Sequence, residues 1–548
     1  MNKKKSMLVQ GGILATAGMI SRVIGLLYTS PLTAIIGDEG NGYYSTAYYI
    51  YTIVLLISSY SIPSAMSKII SQKLAVHEYR NAQRIFHCAL IYVAVVGGIG
   101  SLFVFFGAPL LVDGNSIPVL RVFAPIIFIF GPLGVLRGYF QAHRSMIQTS
   151  VSQLLEQFLN AFVSVGAAAL LVHIAISKSL DDSGRAMYGA IGSALGTGSG
   201  VVIALVFMFF VYNLNREYIQ RKVIHDHHTD MGYKEIFMTI IMIVTPFILS
   251  TFIYNFSTTL DSTLFSKILT YYKDIPHSEV VTRFGVFSRK ALVITNLPIS
   301  IASAAAATVM PNISTYYAQG DYETTSKLIA KVNRIIMMIA IPSAAGLFAL
   351  AQPIIMLLFP QKATIAEAGL LMQILAITVV FYSLSTVSNA ILQGIGEVNT
   401  PVINAAVALI IQTVLLVGLL MFTDLGNIAL AIVTIVYSLL MCIMNEHSIM
   451  KEIRVEQNYK KLYVIPAIVS IVMGGAAFGV YELFKFLISM VLQRDYFVNL
   501  ISVMIAMIVA VIIYAVGMVK AKGVTEEELM SFPKGYKIVN LLKKTRIL

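Results

Sequence analysis

The sequence predicts an all-α integral membrane protein of about fourteen transmembrane helices, built as two six-helix lobes followed by two further C-terminal helices. Three observations carry that prediction. Hydrophobic residues fill 57% of the 548 positions and charged residues only 12%, a balance that a water-soluble chain of this length would not tolerate. Apolar stretches of roughly 20 residues, the length that crosses a bilayer core of about 30 Å, recur along nearly the whole chain. Short patterns in the first part also return in the second at an offset of roughly 250 residues, the mark of a duplicated bundle.

The first apolar run follows Lys3, Lys4 and Lys5, extends beyond the core of a cleavable signal and lacks a small-residue cleavage site, so it reads as a retained first span. Hydropathy and helix breakers then place spans near 8–36, 43–70, 85–112, 118–140, 148–176 and 186–213. After a polar loop the second set lies near 237–266, 283–317, 326–358, 366–393, 400–422 and 425–450, with the last pair near 461–489 and 497–520. The domain boundaries that follow are an N-terminal lobe over 1–213, a loop over 214–236, a C-terminal lobe over 237–450, the added pair within 451–520 and a tail over 521–548. An even number of spans puts both termini on one side. With the N-terminus cytoplasmic, the inner segments collect roughly 26 Lys and Arg against about 7 outside, the bias that sets orientation. The loop's Arg216, Arg221 and Lys222 and the tail's Lys543, Lys544 and Arg546 contribute to it.

The net charge of +12 is dispersed between apolar segments, not gathered into a stripe with aromatic platforms, so membrane topology explains it better than nucleic acid does. Cys88 and Cys442 lie in opposite halves and suggest packing, not a disulfide or a metal. His225, His227 and His228 sit together in the polar loop without a second set of ligands, which argues against a metal site there. No nucleotide-binding loop, metal helix or paired-acid motif is present. The chain is therefore expected not to be an enzyme and to need no cofactor. A substrate gradient, Na⁺ or H⁺ coupling, or the membrane potential would supply the energy.

An ionisable group at mid-bilayer costs about 2.5–3.5 kcal/mol on insertion scales, so each one calls for a partner, a wet cavity or a route to the interface. Arg22 lies about 22 Å along the first span, too deep to snorkel, and reads either as half of an ion pair or as a cavity cation that meets substrate. Lys68, with Ser64 and Ser67 beside it after Pro63, reads as a second such cation or as a snorkelling lysine. Glu156, Gln153 and Asn160 share one face of the fifth span, and so many polar groups at helical spacing must line a cavity or an interhelical contact. Asp261 and Arg289 fall at similar depths on consecutive antiparallel spans and are expected to pair. Glu156 and Asp261 are the carboxylates open to ion coupling. Internal prolines, including Pro31, Pro63 and Pro342, suit helices that bend during transport.

Several stretches resemble one known group. Ser21-Arg22-Val23-Ile24-Gly25, Ile62-Pro63-Ser64-Ala65-Met66-Ser67-Lys68, and Arg137-Gly138-Tyr139-Phe140-Gln141 followed by Met146, Ser152-Gln153 and Glu156-Gln157 are similar to motifs of the polysaccharide-transporter branch of the multidrug, oligosaccharidyl-lipid and polysaccharide (MOP) exporter superfamily, in particular the MurJ-type lipid II flippases and their sporulation-protein relatives. The likeness continues through Asp321-Tyr322 and Leu392-Gln393-Gly394-Ile395-Gly396. It implies two lobes around a cationic cavity in the bacterial plasma membrane, in which a lipid-linked oligosaccharide such as the undecaprenyl-diphosphate-linked peptidoglycan precursor crosses from inner to outer leaflet by alternating access. By the same resemblance Arg22 is the substrate-contacting cavity arginine, with Lys68, Ser64, Arg289, Glu156, Gln153 and Asn160 as further binding candidates. Two departures stand out. Where enterobacterial-type members carry a second arginine six residues after the first, this chain has Tyr28, and at the position of their eighth-helix arginine stands Val293, one turn from Arg289. Membrane lipids and cell-wall synthesis enzymes are the implied partners, with the protein acting as a monomer. The competing functions are a flippase for another lipid-linked polysaccharide, an ion-coupled drug exporter, which would favour acidic cavity residues, and a membrane glycosyltransferase or polymerase, which would need an acidic motif on a large outer loop.

Overall fold

The computed structural model describes residues 3–524 except Ser61, Arg144, Pro360 and Glu456. The tail with Lys543, Lys544 and Arg546 lies outside the described residues, within which the chain is almost entirely helices joined by short turns and contains no strand. Among the described residues, ten helices are long and apolar enough to cross a membrane, and eleven if the pair 362–375 and 378–394, bent by 44°, is one span. The chain is thus a multi-pass membrane protein. The difference from the expected number has local causes. The first run, Thr16–Ala75, takes in two expected spans. The expected spans at 237–266 and 283–317 fall on helices in which several side chains lie outside those described.

Within that first run, Lys3–Leu55 (α1) is not one continuous helix, because Gly37 has φ +69° and ψ −177°. No helix passes through that conformation, which glycine adopts at little cost and other residues resist. A π-helical turn at Leu56–Tyr60 then leads into Ile62–Ala75 (α2). Tyr79–Leu111 (α3), Ser116–Ala142 (α4), Met146–Ser177 (α5) and Asp182–Ile224 (α6) follow, then Tyr233–Lys267 (α7) and His277–Gly285 (α8). These helices, together with 405–430, make one compact unit spanning Met1–Arg289 and Ala405–Leu430.

Its core is built from apolar faces of α1 to α4 and α6, with Tyr43, Phe123, Ile70 and Met66 buried. Small residues bring α5 and α6 close together. A methyl group on Gly192 would stand 2.4 Å from the backbone nitrogen of Ala168, one on Gly196 2.0 Å from Ser164 Oγ, and one on Gly200 2.5 Å from the carbonyl oxygen of Glu156. Four-residue spacing puts these three glycines on one face, and the backbone of α5 fills the space that side chains would have taken.

The second compact unit comprises Lys290–Asn404 and Ala431–Leu548. It contains Leu292–Ala318 (α9), Tyr322–Ala349 (α10), Ala351–Leu358 (α11), Ile365–Leu375 (α12) and Thr378–Gly394 (α13). Thr400–Phe422 (α14) and Asn427–Glu452 (α15) each have residues in both units, and Ile465–Ser489 (α16) and Asp495–Lys520 (α17) complete the second. Here α9, α10 and α13 share a core of Ile329, Met337, Val387 and Leu392, and Tyr481 of α16 donates a hydrogen bond to Asn499 of α17 at 2.9 Å. Glu446, half-buried on α15, accepts a hydrogen bond from Ser388 of α13 at 2.8 Å, and Asn404 donates to Asn445 Oδ1 at 2.9 Å.

Candidate functional site

Every residue nominated from the sequence falls in the first compact unit, but the structure sorts them into two kinds. Arg22 on α1 and Ser64 and Lys68 on α2 are exposed. Neither cation has a carboxylate partner among the described residues, and both sit on helices that cross the bilayer. Pro63 at the start of α2 and the π-turn before it place Ser64 and Lys68 four residues apart, on one face.

The polar face of α5 is accounted for differently. Arg137 of α4, only 6% exposed, places Nη2 2.7 Å from Glu156 Oε2 and donates from Nε to Ser152 Oγ at 2.9 Å. Asn160 accepts a hydrogen bond from Ser164 at 2.9 Å, whereas Gln153 keeps a buried Oε1 without a partner among the described residues. Of the two alternatives for this face, the structure places Glu156 in an interhelical contact. Arg137 was legible as part of a motif but not as this partner, because nothing in sequence spacing joins positions on two helices.

The expected Asp261–Arg289 pair does not form. Both carboxylate oxygens of Asp261, 7% exposed, instead accept from Gln412 Nε2, at 2.6 and 2.7 Å, and Ser257 donates to the amide oxygen of the same Gln412 at 2.8 Å. Gln412, from a helix remote in sequence, is a residue that sequence reasoning missed. Arg289 lies in a π-helical turn, Val286–Ala291, whose winding differs from that of a regular helix, so similar depth did not bring the two side chains together. Its guanidinium carbon consequently stands 4.9 Å from the centre of the Tyr44 ring, with Tyr28 and Tyr49 as further neighbours. Arg289 Nε and Nη2 are buried without hydrogen-bond partners among the described residues.

Tyr44 begins an aromatic stripe on α1: Tyr44 and Tyr48 stack at 5.6 Å, Tyr48 and Tyr51 lie 5.8 Å apart, and Phe123 of α4 packs against all three. The Tyr44 hydroxyl is 3.1 Å from that of Thr197 on α6. Arg289 thus comes to the neighbourhood of Tyr28, the position where the resemblance led us to look for a second arginine. No group of three or more His, Cys, Asp or Glu side chains able to hold a metal occurs among the described residues. Cys88 and Cys442 are both buried and free.

The many spans and the charged side chains carried on them are features of a membrane transporter, and comparison with known proteins gives the family. The chain belongs to the polysaccharide biosynthesis protein family, whose model matches residues 8–317, and the model of the MatE family matches residues 277–418. Among relatives, it is similar to the lipid II flippase MurJ of Bacillus subtilis (strain 168), 24% identical over 457 residues that cover 77% of this chain and 81% of that one. It is also similar to the stage V sporulation protein B of the same organism, 22% identical over 86% of this chain and 89% of the relative. In fold it resembles a solved structure of the lipid II flippase MurJ in an inward closed conformation, with a TM-score of 0.65, 14% identity, and coverage of 92% of this chain and 98% of the other. The chain is a MurJ-like member of the MOP exporter superfamily.

Proposed function

We propose that the protein is a flippase that carries undecaprenyl-diphosphate-linked peptidoglycan precursor from the inner to the outer leaflet of a bacterial plasma membrane. The observation that supports this reading best is the imbalance of charge in the first unit. Glu156 and Asp261 are engaged by Arg137 and Gln412, whereas Arg22 and Lys68 stand exposed without an acid partner among the described residues. Uncompensated cations in a span are stabilised by an anion that arrives with the cargo, and a diphosphate offers several acceptors for charge-assisted hydrogen bonds. Ser64, one turn before Lys68, adds a neutral donor. The lipid tail stays in the bilayer while the polar head passes, and two six-helix lobes alternate in access to the two sides.

In this reading both termini are cytoplasmic, the chain acts as a monomer, and it performs transport without bond chemistry. Asp261 is the candidate for Na⁺ or H⁺ coupling, because a buried carboxylate held only by a neutral amide has the lower cost of changing its charge partner. The MatE match favours an ion-coupled drug exporter as the second reading, but Glu156, the acid on the polar face of α5, is already paired with Arg137.

The experiment is depletion of the protein in its host, followed by external labelling of lipid-linked precursor on intact cells, with wild type and Arg22→Ala reintroduced. Exposure lost on depletion, restored by wild type and not by Arg22→Ala, supports the reading. Unchanged precursor exposure in a host without paralogues would overturn it in favour of another lipid-linked glycan.

A further inference from the structure

We infer that the chain carries a second anion site, outside its spans, that takes a phosphomonoester or diphosphate group. The site is a concavity of about 730 Å³ formed by the end of α6, the turn between α2 and α3, and the histidine-bearing loop after α6. At about 1.5 Å per residue, the 43 residues of α6 run roughly 64 Å, about twice the bilayer core, so its last three turns stand clear of the hydrocarbon. A volume of this size matches ordinary small-ligand pockets.

The electrostatics of the concavity are set by which acids are already used. Asp226, the one acid in its lining, accepts the backbone N–H of Arg80 at 2.7 Å through Oδ2 and that of His228 at 3.0 Å through Oδ1, with His228 Nδ1 2.6 Å from the same oxygen. Nearby Asp230 is held by Arg80 at 3.1 Å and Arg84 at 2.6 Å, and Glu78 by Lys73 at 2.9 Å. Glu217 stands 3.8 Å from Arg221 in an exposed pair, an arrangement that holds charge only weakly.

Lys222 and the histidine rings are used differently. Lys222 Nζ lies over the ring of Tyr218 at 4.6 Å and of Tyr79 at 5.2 Å and has no acid partner among the described residues. Aromatic faces orient an ammonium without consuming its hydrogen-bond donors. His225 Nδ1 is 2.7 Å from the Arg221 carbonyl oxygen, and His77 Nδ1 is 3.0 Å from the Tyr79 hydroxyl, so each ring is held by one nitrogen with Nε2 left over. Lysine, arginine and imidazole donors converging on one concavity are the chemistry of phosphoryl recognition. An occupant would bridge the projecting end of α6 to the α2–α3 turn. The same chemistry is offered by a lipid headgroup and by a soluble phosphate metabolite.

The test uses the full chain in nanodiscs of zwitterionic lipid, titrated with inorganic pyrophosphate and followed by calorimetry, beside Arg221→Gln/Lys222→Gln, both positions on the projecting end. Saturable binding weakened about tenfold or more in the double variant is expected. Repeating the titration in nanodiscs that contain phosphatidic acid separates the sources: competition by the lipid assigns the site to a headgroup, and undiminished pyrophosphate binding assigns it to a soluble ligand. Absence of saturable binding to wild type, or equal binding by the double variant with an unchanged melting curve, would overturn the inference. Because neither residue lies in a span, this outcome is independent of the precursor-labelling result for Arg22.

Discussion

Two sets of ionised side chains lie in the same compact unit, one on α4 and α5 and the other on α1 and α2, and they are treated in opposite ways. Arg137 and Glu156 meet at 2.7 Å, with Ser152 taking a further donor, while Arg22 and Lys68 are exposed with no acid partner among the described residues. A pair sealed between helices fixes those helices to one another; a lone cation in a span adds nothing to packing and persists only because something else meets it. The contrast separates residues that hold the bundle from the residues proposed here to meet cargo, although all four lie in stretches that resemble the same family.

The contrast breaks most sharply at Arg137. Arg137→Met leaves Glu156 as an unpaired carboxylate between helices and should cost about 3–5 kcal/mol, read as a large fall in the melting temperature of the detergent-solubilised protein. Arg137→Met/Glu156→Leu should recover most of that loss, since a well-packed apolar pair often matches a buried ion pair. Equal instability of single and double variants would show that the two residues do not act as a pair. Arg22→Ala should behave in the reverse manner, leaving the melting temperature within a degree or two of wild type while transport falls roughly ten- to a hundredfold, the loss of about 1.5–3 kcal/mol carried by a hydrogen bond to a charged group. A destabilised Arg22→Ala would return that residue to the packing set.

Asp261 occupies the middle ground, buried and held but by an amide without charge. Asp261→Asn preserves shape and costs about 1.5 kcal/mol at most in stability, because Gln412 can turn its amide to bond the new side chain. If Asp261 couples transport to a cation, the variant loses the dependence of precursor exposure on the Na⁺ or H⁺ gradient while still binding substrate. Retained dependence would remove Asp261 from coupling and leave Glu156 as the carboxylate to examine.

The helical, membrane-crossing character of the chain was legible because lipid tolerates only helices with satisfied backbones, and that demand writes long apolar runs into the sequence. The exposed cations were legible for the same reason, since charge within such a run is conspicuous. What was not legible depended on three-dimensional partners or on departures from regular helix. Gly37 does not announce which of many glycines takes a positive φ, Arg289 lies in a π-turn at Val286–Ala291 and sits over Tyr44, and Gln412 reaches Asp261 across 151 residues of sequence. Arg137 was visible in its motif, yet its role follows from the crossing of α4 with α5, which local spacing does not encode.

The smallest expected effect lies outside the spans, where the same distinction between held and free charge recurs at Asp226. Burial opposes ionisation of this carboxyl, but hydrogen bonds from the Arg80 and His228 backbone and the His228 ring outweigh it and bring its pKa down to about 2. A carboxyl depressed below its unfolded value of about 3.9 stabilises the fold fully above that pH, and the contribution is lost as pH falls through about 4 toward about 2. Asp226 thereby serves the N-terminus of α3, where Glu78 makes no side-chain cap of its own. Asp226→Ala should cost about 1 kcal/mol, the ordinary value of a helix cap, and should speed hydrogen exchange at the Arg80 amide while leaving the spans protected. Unchanged exchange at Arg80 would mean that the loop acid is not what holds this turn, and the cations beside it would then no longer be distinguished from Asp226 by a lack of structural duty.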